Sequence, residues 1–414
     1  MRRCDVVIVG GGIGGSALAT ALAGDGLDVV VLEASQTYPD RVRGESMLPW
    51  GVKEAKELGV EPALLEAGAK VAGTWFHYDQ DTPTEITTAN PLPVGMLCPG
   101  VPGSMNLRHP DACRTLSELA ASRGADVVRG VSEVEITAGA EPVVRCNTPS
   151  GPLELAPRLV VGADGRNSTV RRQAGIELRR QAETCMVAGL LLDGVGDEAT
   201  GGSDFLASQD DLFMAAFFQP DDRIRLYLIP GLSQRHRFSG PDGLAEFQRS
   251  AAFSCLPFGE QLATAPPAGP LATYPGDDSW SVEPYAPGVV LVGDAAGYNN
   301  PIIGQGLSIS MRDARMVRDV VRGGDLSPAV FSGYATERME RMRRLRMGAD
   351  FMSATFSEDC TDRPARRARF FELQQTEPLM MGMLAALFGG PEVGPPEAFD
   401  GHLNAMMRGA PVPA

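Results

Sequence analysis

Residues 6–9 read Val-Val-Ile-Val and run directly into Gly10-Gly11-Gly12-Ile13-Gly14-Gly15. A run that is apolar at every position suits a strand buried on both faces of a parallel sheet; a half-solvated strand would alternate. An Ala/Leu-rich stretch follows, then Val29-Val30-Val31-Leu32, so residues 5–33 read as strand, helix, strand. Within this βαβ crossover the glycines satisfy GxGxxG, and Glu33 ends the second strand 18 residues beyond Gly15. That spacing is the dinucleotide-binding fingerprint. Gly10 permits a tight turn, Gly12 lets backbone amides approach a pyrophosphate, and Gly15 lets the helix pack on the sheet. Ile13 and Gly14 open the helix, whose free N–H groups and partial positive charge attract an anion. Glu33 is expected to accept hydrogen bonds from an adenosine ribose.

At 414 residues the chain is long enough for two or three domains of roughly 100 to 200 residues. Two later apolar runs repeat the strand-into-turn pattern: Leu159-Val160-Val161-Gly162-Ala163-Asp164-Gly165, and Val289-Val290-Leu291-Val292-Gly293-Asp294. Between them, residues 181–270 contain alternating and aromatic stretches expected to form antiparallel strands of a separate sheet. From about residue 336 the chain becomes rich in Arg and Met with helical spacing, and residues 389–414 are dense in Pro and Gly. This predicts a helical C-terminal part with a loose tail. The arginines of 338–346 are expected on a solvated helix face, and the late methionines in packing.

The formal charge of -15, without a run of Lys or Arg, argues against a nucleic-acid partner. The seven cysteines are scattered and never spaced CxxC, which suits a reducing cytoplasm better than a disulfide framework or a zinc cage. The apolar run at 6–9 is too short for a signal peptide or a membrane span. The four histidines (His77, His109, His236, His402) lie far apart without spaced carboxylates, so no metal site is expected.

Beyond the fingerprint, Gly293-Asp294-Ala295-Ala296 is followed by Pro301, Gly304, Gln305, Gly306 and Leu307, then Asp313-Ala314. Gly162-Ala163-Asp164-Gly165-Arg166 runs on to Arg171. In this order the three motifs resemble those of the group A flavoprotein monooxygenases, the p-hydroxybenzoate hydroxylase-like family. The resemblance implies FAD as cofactor, with Asp294 on the ribityl chain. It implies a loop after Pro301, through Gly304, that brings the backbone N–H groups of Gly306, Leu307 and Ser308 to the flavin pyrimidine ring. It assigns Asp164 a turn-capping place near the pyrophosphate, and Arg43, Ser46 and Arg108 further cofactor contacts. The implied α/β fold is a Rossmann-like FAD-binding domain of the p-hydroxybenzoate hydroxylase/glutathione reductase type, made of 1–74, 101–180 and 271–335. A substrate domain comprises 75–100 and 181–270, and a helical region 336–414.

The resemblance further implies that NAD(P)H binds transiently as co-substrate, since there is no second GxGxxG. The flavin then meets O2 and forms a C4a-hydroperoxide that hydroxylates or epoxidises an aromatic or polyunsaturated small molecule. The oxidant belongs to the cofactor, so no catalytic acid or base is named. Phe213, Phe217, Phe218 and Tyr227 are expected to build an apolar substrate cavity. Three alternatives stay open. Gly44-Glu45-Ser46-Met47-Leu48-Pro49 and Lys70 resemble features of flavin-dependent halogenases, although Arg225-Leu226-Tyr227-Leu228-Ile229-Pro230 lacks both tryptophans of their WxWxIP segment. Prenyl-chain reductases share a related FAD domain, and Rab GDP-dissociation inhibitors keep the fold as binding proteins without flavin.

Overall fold

Val6 and Ile8 enter one hydrophobic core while Val7 and Val9 enter another, which is why residues 6–9 of the opening strand include no polar side chain. The computed structural model describes residues 1–196 and 200–410. Its central sheet contains five parallel strands: β1 (Arg2–Val9), β2 (Val29–Glu33), β3 (Asp126–Arg129), β4 (Gly151–Gly162) and β5 (Val289–Leu291). Their order is β5-β4-β1-β2-β3. Register aligns Val9 with Gly162 and Gly162 with Leu291, so the three motif turns leave the same edge of adjacent strands. Helix α1 (Ile13–Gly24) lies on one face, and its Ala/Leu composition lets nearly every residue be buried.

A six-stranded sheet stands over that edge. Trp75–Asp79 pairs in parallel with Asp204–Gln209, and the remaining strands, Leu212–Gln219, Arg223–Ile229, Cys185–Asp193 and Ala272–Gly276, are antiparallel. Ala272–Gly276 thus joins this sheet from outside the expected 181–270 span. Helix α2 (Gly306–Arg322) follows β5, and α3 (Ser332–Phe356), α4 (Arg363–Thr376) and α5 (Pro378–Gly389) complete the helical C-terminal part. The expected loose tail is corrected over 389–410. Phe399, Leu403 and Met407 are buried in the main core, because the Pro- and Gly-rich turns fold this stretch back onto α3, α4 and α5. Residues 411–414 lie outside the described residues. No helix among the described residues is long and apolar enough to cross a membrane.

Candidate functional site: a cavity framed by three turns

Gly10 adopts φ +108°, and a methyl group there would lie 2.3 Å from the Ala163 carbonyl oxygen. Only glycine permits both that backbone and that approach, and the first two turns are joined further by the Ala163 N–H donating to the Val9 carbonyl at 2.7 Å. On Gly15 a methyl would sit 2.0 Å from the Gly10 carbonyl oxygen, so this glycine seats α1 on its own turn. The first turn of α2 completes the junction. Ser310 Cβ lies 3.3 Å from where a Gly14 methyl would stand, and Ser310 Oγ 2.8 Å from a Gly293 methyl.

These turns frame a cavity of about 1220 Å³ lined by Gly10 to Gly15, Glu33, Asp164 and Asp294. Two helix N-termini open onto it without a side-chain cap: α1 behind Gly12, and α2 behind Gln305. Their first N–H groups have no intrahelical acceptor and carry the positive end of each helix dipole. Nothing lies within 4 Å of a methyl built on Gly12, Gly304 or Gly306, so these positions leave space for a ligand rather than for packing. Glu33 is held at both oxygens, by the Gly11 N–H at 2.7 Å and the Ser35 N–H at 2.8 Å. Each oxygen retains a lone pair for a hydroxyl donor.

Arg43 lines the cavity and makes no ion pair with any described residue. Burial, with Arg166 close by, pulls its pKa down, the signature of a site short of negative charge. Arg166 itself lies 3.4 Å from Asp294 and stacks over the Tyr298 ring at 4.2 Å. Ser46 also lines the cavity, and its buried Oγ has no hydrogen-bond partner among the described residues. Open glycines, two uncapped helix ends, an unpaired guanidinium and an orphaned hydroxyl fit an elongated anionic dinucleotide such as FAD.

Residues 3–239, more than half of the chain, match the FAD-binding domain family. The chain belongs to that family. It is 26% identical over 324 residues to squalene monooxygenase SE1 of Panax ginseng, covering 77% of this chain and 58% of that protein. It therefore spans less than two thirds of that relative's length. It is 25% identical over 386 residues to the 3-demethoxyubiquinol 3-hydroxylase of Escherichia coli (strain K12), covering 86% of this chain and 90% of that one. A flavoprotein/dehydrogenase structure from Cytophaga hutchinsonii superposes with a TM-score of 0.77 at 15% identity over 98% of both chains, a likeness of fold.

The cavity gathers most of the residues expected from the motifs, with exceptions. Arg108 does not line the cavity; it pairs with Asp111 at 2.7 Å and opens the helix His109–Ser122. The Ser308 side chain is not in the lining either, its hydroxyl packing where a side chain on Gly51 would be, whereas the expected contact there is through the backbone N–H. Asp164 lines the cavity, and its carboxylate accepts from Ser168 Oγ at 2.5 Å and from the Thr169 N–H at 2.6 Å, so it caps the short helix Thr169–Gln173. Phe217 and Tyr227 line the cavity, but Phe213 and Phe218 are core residues absent from its wall. Lys70 sits on the strand Lys70–Ala72 and is not part of the lining.

The expected solvated face at 338–346 is corrected as well. Arg338 and Arg341 are only 1% and 3% exposed, and both bridge the fully buried Asp313, at 2.9 and 2.7 Å. Burial alone would raise the Asp313 pKa, but the two guanidiniums outweigh it and hold it low. Arg338 also donates to the Gly293, Ala296 and Gly297 carbonyls, Arg171 to the Ala295 carbonyl, and Asp313 accepts the Gly293 N–H. This network fixes the third turn. Its trace in the sequence is spacing: Tyr334, Arg338, Arg341 and Leu345 recur at intervals of four, three and four, one buried helix face. Residues of α4 and α5, including Phe370, Phe371, Leu384 and Phe388, complete the cavity wall, as does the exposed Met381. Gln305 ties the loop before α2 down, accepting from Trp50 Nε1 at 2.8 Å and donating to the Leu387 carbonyl at 3.1 Å.

Proposed function

We propose that the protein is an FAD-dependent monooxygenase that hydroxylates or epoxidises an aromatic or polyunsaturated small molecule, using O2 and reducing equivalents from NAD(P)H. The observation that carries this reading is continuity: one cavity runs from the three glycine turns into an aromatic chamber between the six-stranded sheet and α4 and α5. The alignment with a squalene monooxygenase and an ubiquinol hydroxylase supports the same class of reaction.

When bound, FAD supplies the electron transfer and the oxygen activation. The chain supplies position and shelter. The N-terminus of α1 and Arg43 would hold the pyrophosphate, Glu33 the adenosine ribose and Asp294 the ribityl chain. The uncapped start of α2 would stabilise negative charge gathering on the pyrimidine side of the reduced ring. Trp75 packs edge-on against Phe217 and Phe388, with centroids 5.7 and 5.0 Å apart. That wall excludes water from the reacting face.

The test is NAD(P)H oxidation by the purified protein across a panel of aromatic and polyketide-like compounds, run under isotopically labelled O2 with product masses recorded. A compound that stimulates oxidation and gains one labelled oxygen atom is the expected result. Halogen incorporation, saturation of a double bond, or a protein without flavin contradicts the reading.

A further inference from the structure

The charged side chains lining the cavity all belong to residues 33–45, 129, 164–166 and 294. The rest of the wall comes largely from residues 75–97, 187–229 and 352–388. Among the described residues it contains, apart from Glu45 at the boundary, no Asp, Glu, Lys or Arg. A substrate carboxylate would have no counter-ion there, and an unpaired buried charge is strongly disfavoured.

One ring nitrogen interrupts the aromatic wall. His77 lines the cavity among the rings of Phe356, Phe370 and Phe371, at centroid distances of 5.3, 5.7 and 5.4 Å. Its Nε2 lies 3.3 Å from Ser208 Oγ, and Nδ1 has no hydrogen-bond partner among the described residues. In the tautomer that donates Nε2–H to Ser208 Oγ, Nδ1 is a bare acceptor. Burial among the phenyl rings pushes the imidazole down to about 4, so it is uncharged near neutrality. Gln375, also in the lining, is exposed at the outer end of α4, whereas His77 is enclosed.

Building on the monooxygenase reading, we propose that this chamber takes an uncharged aromatic or polycyclic molecule whose hydroxyl group donates to Nδ1 of His77, and that it rejects ionised carboxylates of the same shape.

The test uses the FAD-loaded protein without NAD(P)H, and calorimetric titration with three probes substituted at the same ring position: naphthol, methoxynaphthalene and naphthoate. Naphthol is expected to bind at least about fivefold more tightly than methoxynaphthalene, which lacks the donor, and at least about a hundredfold more tightly than naphthoate. His77→Asn, which keeps a polar atom near the Nδ1 position, should retain the preference for naphthol over methoxynaphthalene; His77→Phe should abolish it. Where His77→Phe does not fold, the probe series on the unaltered chain and His77→Asn decides the matter. Naphthoate binding as tightly as naphthol, equal binding of naphthol and methoxynaphthalene, loss of the preference in His77→Asn, its survival in His77→Phe, or no binding by any probe would overturn the proposal. Because no redox step is involved, failure of the monooxygenase reading would appear separately, as probe binding without oxygen incorporation.

Discussion

At the scale of residues, the third turn shows how much of the site depends on charge buried far from the ligand. Removing the Arg338 guanidinium takes a donor from three backbone carbonyls, leaves that of Gly297 with no other donor among the described residues, and halves the compensation of Asp313. Arg338→Met is therefore expected to destabilise the fold by about 3 to 5 kcal/mol, read by chemical denaturation, and to lower FAD retention. Asp294→Ala acts at the ligand itself and should weaken FAD binding by about 1 to 3 kcal/mol, read by flavin fluorescence titration; unchanged affinity would refute that role for Asp294. The sequence disclosed these two residues unequally. Asp294 follows an apolar strand and a glycine, a local pattern. Arg338 looks like any helix-surface arginine until its face is seen to carry Tyr334 and Leu345, because its partners lie 25 to 45 residues away. Arg108 shows a different limit: its own neighbour Asp111 engages it and it does not line the cavity, a local competition that motif matching does not weigh.

At the scale of elements, four of the five parallel strands and α1 were legible, because burial on both faces demands uninterrupted apolar runs; β3, at the half-exposed edge, has no such run. The wall made by α4 and α5 was not. Its apolar residues face a cavity rather than a core, and periodicity cannot tell the two apart. Gln305 shows what these helices add, since its side chain bridges α5 to Trp50 across the loop before α2. Gln305→Ala leaves the buried Trp50 Nε1 and the Leu387 carbonyl without this partner. The expected loss is about 2 kcal/mol, with faster amide hydrogen exchange at 301–307 than in the unaltered protein. Exchange unchanged there would mean that the loop is held from elsewhere.

At the scale of the whole molecule, the chain's neutral histidines couple its stability to pH. Burial pulls both His77 and His109 from the ordinary 6.5 to about 4, Arg41 and Arg43 adding to the effect at His109. Below pH 6.5 the unfolded chain takes up protons that the native state refuses. Stability therefore falls as the pH drops from 6.5 to about 4, by up to about 1.4 kcal/mol per pH unit for each histidine, and this contribution levels off below about 4. Denaturation at a series of pH values should show that slope reduced in His77→Phe by the share of one proton. The binding site, by contrast, depends on space that the fold leaves open. A Cβ at Gly12 would meet no protein atom within 4 Å, and its φ of -74° suits any residue, so a small branched side chain there is opposed chiefly by a ligand at the turn. The most direct measurement is FAD titration of Gly12→Val beside the unaltered protein, with the melting of both ligand-free forms. One FAD bound per unaltered chain, affinity lost by more than about a hundredfold in the variant, and ligand-free stabilities within about 0.5 kcal/mol of each other are the predicted result. Equal FAD affinity in the two proteins would contradict a dinucleotide seated on these three turns.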